Sequence, residues 1–278
     1  MRLDRTHTGT TQDLHRTYTG VGPEEGAARI FGRTGESGVI KSEKTLSLPK
    51  IYLMRKTAFI IFLTIMTFSG FSQDDWFGFN RFRADNERII NSGEFPEVVF
   101  MGNSITEYWA FYHPDFFLKH RYCGRGIGGQ TSAQMLVRFT SDVIDLHPKA
   151  VVIMAGTNDV AHNTYWVEPD QVVDNVVAMC NLARANDIVP IISSIPPCAS
   201  FVWRPEIENA ARTIVEINKK LKAYADAHNI VYVDYHSALA DDHNAFQKPL
   251  SEDGCHPNPD TYFIMEKLVL QAIDEALK

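Results

Sequence analysis

Four short apolar runs punctuate the chain after residue 95. They are "EVVFM" (Glu97 to Met101), "AVVIMA" (Ala150 to Ala155), "VPIISSI" (Val189 to Ile195) and "IVYVDY" (Ile230 to Tyr235). Each is rich in β-branched residues and nearly unbroken by polar ones. Continuous runs of this length predict strands covered on both faces, because a strand with one wet face would alternate. Between the runs the apolar positions change period. Met135, Phe139 and Val143 recur at four-residue steps. Val172, Val176, Met179 and Ala183 do the same behind Pro169, a residue suited to a helix start. Ile207, Ala211, Ile214, Ile217, Leu221 and Tyr224 stripe a long helix, and Tyr262, Met265, Val269 and Ile273 a last one. Strand–helix alternation predicts an α/β fold with a parallel sheet wrapped by helices. In such sheets chemistry gathers in the loops beyond the carboxyl ends of the strands.

The first quarter of the 278 residues has a different character. Residues 1–53 carry no sustained apolar period and would not bury enough surface to offset their ordering entropy. "MRKTAFIIFLTIMTFSGFSQ", Met54 to Gln73, has a basic start, an apolar stretch and then small residues. That is the layout of a secretory signal peptide, with Ser72/Gln73 as the cut. Its uncharged run, Thr57 to Gln73, is shorter than the roughly 20 residues that span a bilayer. The expectation is therefore translation from Met54, a signal over 54–72, an over-extended start over 1–53, and one mature domain over 73–278. Ten of the 27 Lys and Arg and six of the 34 Asp and Glu lie in residues 1–72. The remainder carries 17 and 28, a net charge of −11, which argues against nucleic acid as a partner. The four cysteines (Cys123, Cys180, Cys198, Cys255) show no metal-ligand spacing and imply no particular pairing.

Four loops hold candidate chemistry. "MGNSITEYW" follows the first run and puts Ser104 on a strand-to-helix turn, where a nucleophilic hydroxyl would be exposed. The same serine suits a helix N-cap, with Glu107 completing a capping box. "AGTNDV" places Asn158 just past a strand end, as an Asx-turn or as a donor to a ligand oxygen. "SEDGCHPNPD" sets Asp253 three residues before His256 in a loop stiffened by Pro257 and Pro259. An activated serine needs an imidazole base and a carboxylate to fix its tautomer, and this loop holds both. "YCGRGIGGQTS" matches G-x-G-x-x-G at Gly124, Gly126 and Gly129. The preceding "LKHRYC" is too polar for the strand that opens a dinucleotide fold, and no acidic residue ends a second strand about 20 residues on. What remains is close backbone approach at Gly128 and Gly129, with a helix expected from about Gln130 whose positive end suits a developing oxyanion.

Together these loops resemble the SGNH hydrolases, the GDSL-type esterase and lipase superfamily. Ser104 in "GNSI" matches the nucleophile. Gly129 in "GIGGQTS" and Asn158 in "GTND" match the oxyanion residues, His256 in "DGCHPN" the base, and Asp253 its carboxylate. The resemblance runs from about Trp76 to the C-terminus. One departure is Asn103, where the family usually carries Asp before the serine. The resemblance implies a flavodoxin-like three-layer α/β/α sandwich and ester or thioester hydrolysis with no cofactor and no metal. It also implies an oxyanion hole from the Ser104 and Gly129 N–H groups and the Asn158 side chain.

"PPCASFVWRP" follows the third apolar run and should bring Trp203 and Arg204 near the site, to stack on a sugar ring and to meet an acidic group, or as local packing and a surface charge. A secreted or periplasmic enzyme of this kind fits deacetylation of a small-molecule or carbohydrate ester. The alternatives are a lysophospholipase or thioesterase and, in another class, a non-catalytic secreted carbohydrate-binding protein. No stable membrane insertion is expected once the signal is cut.

Overall fold

The computed structural model describes residues 75–278; the expected leader over 54–72 and residues 1–53 lie outside the described residues. In chain order the elements are α1 (Arg83–Ser92), β1 (Val98–Gly102), α2 (Ser104–Tyr112), α3 (Pro114–His120), β2 (Tyr122–Gly126), α4 (Ser132–Val137), α5 (Phe139–Asp142) and a 3₁₀ turn (Ile144–Leu146). They continue with β3 (Ala150–Ile153), α6 (Thr157–Val160), α7 (Pro169–Arg184), β4 (Val189–Ser193), α8 (Ala210–Ala227), β5 (Val231–Val233), α9 (Tyr235–Leu239) and α10 (Thr261–Ala276). The strands pair in the order β2-β1-β3-β4-β5, all parallel. That is the flavodoxin-like order, with its switch point between β1 and β3.

Alternate strand residues feed two cores. Val99, Met101, Val151, Ile153 and Ile192 pack with Met135, Phe139, Val176, Met179, Ile214 and Leu221 on one face. Val98, Phe100, Val152 and Ile191 pack with Trp109, Phe116, Tyr262, Met265 and Val269 on the other. Both faces being covered is why the strands read as unbroken apolar runs. The result is the three-layer α/β/α sandwich.

Three features depart from the sequence reading, the smallest being that Ile207, expected on the long helix, lies before α8 begins at Ala210. The glycine-rich stretch is itself a strand: β2 pairs along β1, with Val98 opposite Tyr122 and Gly102 opposite Gly126. Its apolar signal is missing because α2 lies hard against it and leaves room only for glycine. A Cβ on Gly126 would come within 2.3 Å of the Glu107 nitrogen, so only glycine lets the first turn of α2 sit there. The helix expected through Met135, Phe139 and Val143 breaks into α4, α5 and the 3₁₀ turn, although all three side chains stay fully buried.

Arg138 sits at that break and is fully buried. Its guanidinium donates to Asp142 Oδ2 (2.8 Å), Gln130 Oε1 (2.6 Å), Gly102 O (3.1 Å) and Arg125 O (2.9 Å). Removing one member of a buried, bonded ion pair costs about 3–5 kcal/mol, because the other charge is stranded. Arg138→Ala should therefore lower unfolding stability by about that amount in urea titration. The double variant Arg138→Ala/Asp142→Ala should lose less than the sum of the two single losses.

Candidate active site

β1 ends at Gly102 and α2 begins at Ser104, with Asn103 between them as the N-cap. Asn103 Oδ1 accepts the Ile105 N–H at 3.0 Å. The cap duty therefore falls on Asn103, and the Ser104 hydroxyl is released from it. Glu107 completes no box with Ser104. It accepts the Gly128 N–H at 2.8 Å and the Arg81 guanidinium at 2.9 Å. Asn in place of the expected Asp keeps the capping oxygen, the atom the turn uses.

The Ser104 Oγ lies 2.9 Å from His256 Nε2, and His256 Nδ1 lies 2.6 Å from Asp253 Oδ2. An ionised carboxylate can only accept, so Nδ1 carries the proton and Nε2 is left as the acceptor facing the serine. Asp253 is held by its own loop: Oδ1 accepts the N–H of Cys255 (2.9 Å) and of His256 (2.7 Å). Burial by itself would raise the Asp253 carboxyl. The bonds from the His256 N–H, the His256 ring and the Cys255 N–H outweigh it and hold the group below its ordinary value. Tyr108 and Trp203 flank the imidazole, with ring centroids 5.4 and 5.9 Å away.

The serine turn and the glycine loop also present N–H donors. Ser104 is the first residue of α2, so its N–H has no intrahelical acceptor. Gly129 takes the left-handed conformation (φ 75°), and its N–H meets no acceptor among the described residues. A Cβ on the adjacent Gly128 would stand 3.9 Å from the Ser104 Cβ, so this loop passes in contact with the serine. Asn158, in α6, is buried and spends one Nδ2 hydrogen on Gln130 O at 2.9 Å. A hydroxyl bonded to an oriented imidazole, beside free N–H donors, is equipped to attack a carbonyl and hold the resulting oxyanion.

The helix end expected near Gln130 is used differently. α4 starts at Ser132 behind a Thr131–Gln134 capping box, and the Ser132 N–H and Oγ donate to the Asp159 carboxylate. Burial pushes Asp159 above the ordinary carboxylate range against the pull of those Ser132 bonds. Trp203 and Arg204 line a cleft of about 530 Å³ shared with Gly129, Asn163 and Trp76. The Arg204 guanidinium is drawn to Glu206 (2.5 Å) and His162 O (2.7 Å), bracing the loop. The sequence reading passed over Asn163, which bonds Asn158, Gly129 and Trp203. It lies five residues past Asn158 with no motif to mark it.

A model of the GDSL-like lipase/acylhydrolase family matches residues 100–263. The crystal structure of a GDSL-like lipase from Bacteroides thetaiotaomicron is 43% identical, with a TM-score of 0.70. The match covers 73% of this chain and 100% of that one. This chain belongs to the GDSL-like lipase/acylhydrolase family. It is a carboxylic ester hydrolase. An acetylxylan esterase from Geobacillus stearothermophilus shares the fold at 21% identity and a TM-score of 0.51, over 63% of this chain and 93% of its own. An uncharacterized lipoprotein, YqeF, from Bacillus subtilis is 39% identical over 75 residues, 26% of this chain; the match spans about a third (31%) of that relative's length. No helix of this acylhydrolase, among the described residues, is long and apolar enough to cross a membrane.

The depressed Asp253 pKa gives a signed expectation. Its ionisation favours the folded state above the ordinary value of 3.8, and that contribution disappears as pH falls through the lower folded value. In urea unfolding between pH 6 and pH 3, the stability margin of the native enzyme over Asp253→Asn should be level down to about pH 4 and shrink below it.

Proposed function

We propose that this acylhydrolase is an exported serine esterase that removes short acyl groups, acetyl foremost, from carbohydrate. The observation that carries the proposal is the bonded chain Ser104 Oγ–His256 Nε2 (2.9 Å) and His256 Nδ1–Asp253 Oδ2 (2.6 Å). In this reading His256 takes the Ser104 proton as Oγ attacks the acyl carbonyl. Asp253 holds the ring in the working tautomer and stabilises the imidazolium. The N–H groups of Ser104 and Gly129 and the Asn158 amide hold the tetrahedral oxyanion, each worth roughly 3–4 kcal/mol in a dry site. His256 then protonates the departing alcohol. Water, deprotonated by the same imidazole, releases the acid from the acyl-enzyme.

The substrate class rests on the cleft beside the oxyanion donors. It is polar at its base, with Gln130, Asn163 and Thr164, and carries the indoles of Trp76 and Trp203 at its rim. Flat aromatic faces beside amide and hydroxyl groups suit a sugar ring, which is apolar on its faces and polar at its edges. Export rests on the signal layout of Met54 to Gln73 and on the likeness to a lipoprotein. A second reading has its own support. An apolar cleft of about 450 Å³, lined by Phe82, Tyr108, Phe111 and Tyr112, reaches Tyr108 at the edge of the imidazole. A longer acyl chain would fit there, as a lysophospholipid or an acyl thioester would require.

Hydrolysis of p-nitrophenyl acetate, butyrate and octanoate by the purified protein separates the readings. Rates should fall from acetate to octanoate; a rise would favour the apolar cleft. Ser104→Ala should reduce turnover by roughly 10⁴-fold or more while thermal unfolding stays cooperative. Undiminished hydrolysis by Ser104→Ala would remove the serine mechanism.

A further inference from the structure

Asn163 and Trp203 form a directed hydrogen-bond chain that ends on Asn158. The Trp203 Nε1–H donates to Asn163 Oδ1 at 2.9 Å. The Asn163 Nδ2 donates to Asn158 Oδ1 at 2.9 Å and to Gly129 O at 3.2 Å. Asn158 Nδ2 in turn donates to Gln130 O at 2.9 Å. Every hydrogen and the acceptor of the Asn163 amide are therefore in use.

The direction of this chain is set at its outer end. An amide can be turned over, exchanging its oxygen and nitrogen, but an indole N–H can only donate. Facing Trp203, Asn163 must present Oδ1, which leaves its Nδ2 toward Gly129 and Asn158. Facing Nδ2, Asn158 must present its own Oδ1. Its remaining amide hydrogens then lie away from Asn163, one on Gln130 O and the other free. A turned Asn163 would set N–H against the indole N–H and oxygen against two oxygens. All three of its bonds would be lost.

We infer that Trp203 and Asn163 are positioning residues for the oxyanion hole: the indole N–H fixes the amide polarity of Asn163, which fixes the amide of Asn158 with its donor toward the reacting acyl group. The inference rests on the assignment of Asn158 as an oxyanion donor. It gives Trp203 a task separate from any contact with sugar. Gly129 enters the same arrangement from both sides, since Glu107 holds the Gly128 N–H and Asn163 the Gly129 carbonyl. The peptide whose N–H is free is thus clamped between two bonded neighbours.

The test is steady-state hydrolysis of p-nitrophenyl acetate, an ester with no sugar to stack on Trp203. Trp203→Phe keeps a ring and removes the N–H. It should lower kcat by about three- to tenfold, the worth of one neutral hydrogen bond, with KM within about twofold of the parent. Asn163→Ala should lower kcat at least as much, and Asn163→Asp further, because carboxylate oxygens would then face two oxygens. Thermal unfolding of each variant reports separately on the fold. Asn158→Ala should cost about 10²–10³-fold in kcat, and Trp203→Phe in that background should cost less than about twofold more. Parental kcat in Trp203→Phe, or losses that multiply in the double variant, would overturn the relay and leave the oxyanion role of Asn158 standing. Parental kcat in Asn158→Ala would overturn that role and the relay with it.

Discussion

The guanidinium of Arg138 is the constraint on which the site's geometry depends. It lies in the core, where an unpaired charge is prohibitive, and it is tolerated because its donors are aimed at four separate acceptors. Those acceptors are not neighbours in sequence. Gly102 O ends the strand that delivers Ser104, Arg125 O belongs to the strand beside it, and Gln130 begins the turn into α4. Asp142 carries the network outward to Asn86, which accepts from Arg125. A buried ion pair of this kind gives little net stability over an apolar core of equal volume. What it supplies here is registration: the strand ends and the glycine loop cannot shift independently while one planar group bonds all of them.

How much of this was legible follows from where each signal originates. β1, β3, β4 and β5 appeared as apolar runs because both of their faces are covered, and their ends agree with the structure to within about two residues. β2 did not, because its content is set by what lies on it. Glycine at 124 and 126 makes room for α2, and glycine has no hydrophobicity to report. The helical stripes of α7 and α10 were readable for the same reason as the strands. The broken segment around Arg138 was not, since Met135, Phe139 and Val143 are buried whether or not the helix is continuous. That Ser104, His256 and Asp253 would come together was legible because an activated serine would demand those residue types in particular loops. Asn163 was not, because its importance lies in which way an amide faces, and that is decided by a tryptophan 40 residues away.

The candidate site divides accordingly into groups that would meet the substrate and groups that orient them. Ser104, His256 and Asp253 arrive from two loops at opposite ends of the domain sequence, brought together at the switch point of the sheet. Around them stand Asn103 on the turn, Glu107 and Asn163 on the glycine loop, and Asp159 on the start of α4. Electrostatic stabilisation of a transition state requires dipoles that need not reorganise as charge develops. Polar side chains committed to holding backbone in place are what that requirement looks like in a structure.

The glycine loop shows the same economy. Its spacing fits a phosphate-binding turn, yet its N–H groups are already engaged one by one. Ile127 donates to Gly102 O, Gly128 to Glu107, Gln130 to Ile127 O, Thr131 to Gln134 and Ser132 to Asp159. Only the Gly129 N–H is left. A phosphate dianion needs several such donors. A single oxyanion that forms transiently, shared with the Ser104 N–H and the Asn158 amide, needs one. The motif's first two glycines serve packing and the third serves a turn. One open N–H suits a small, local charge better than it suits a phosphate.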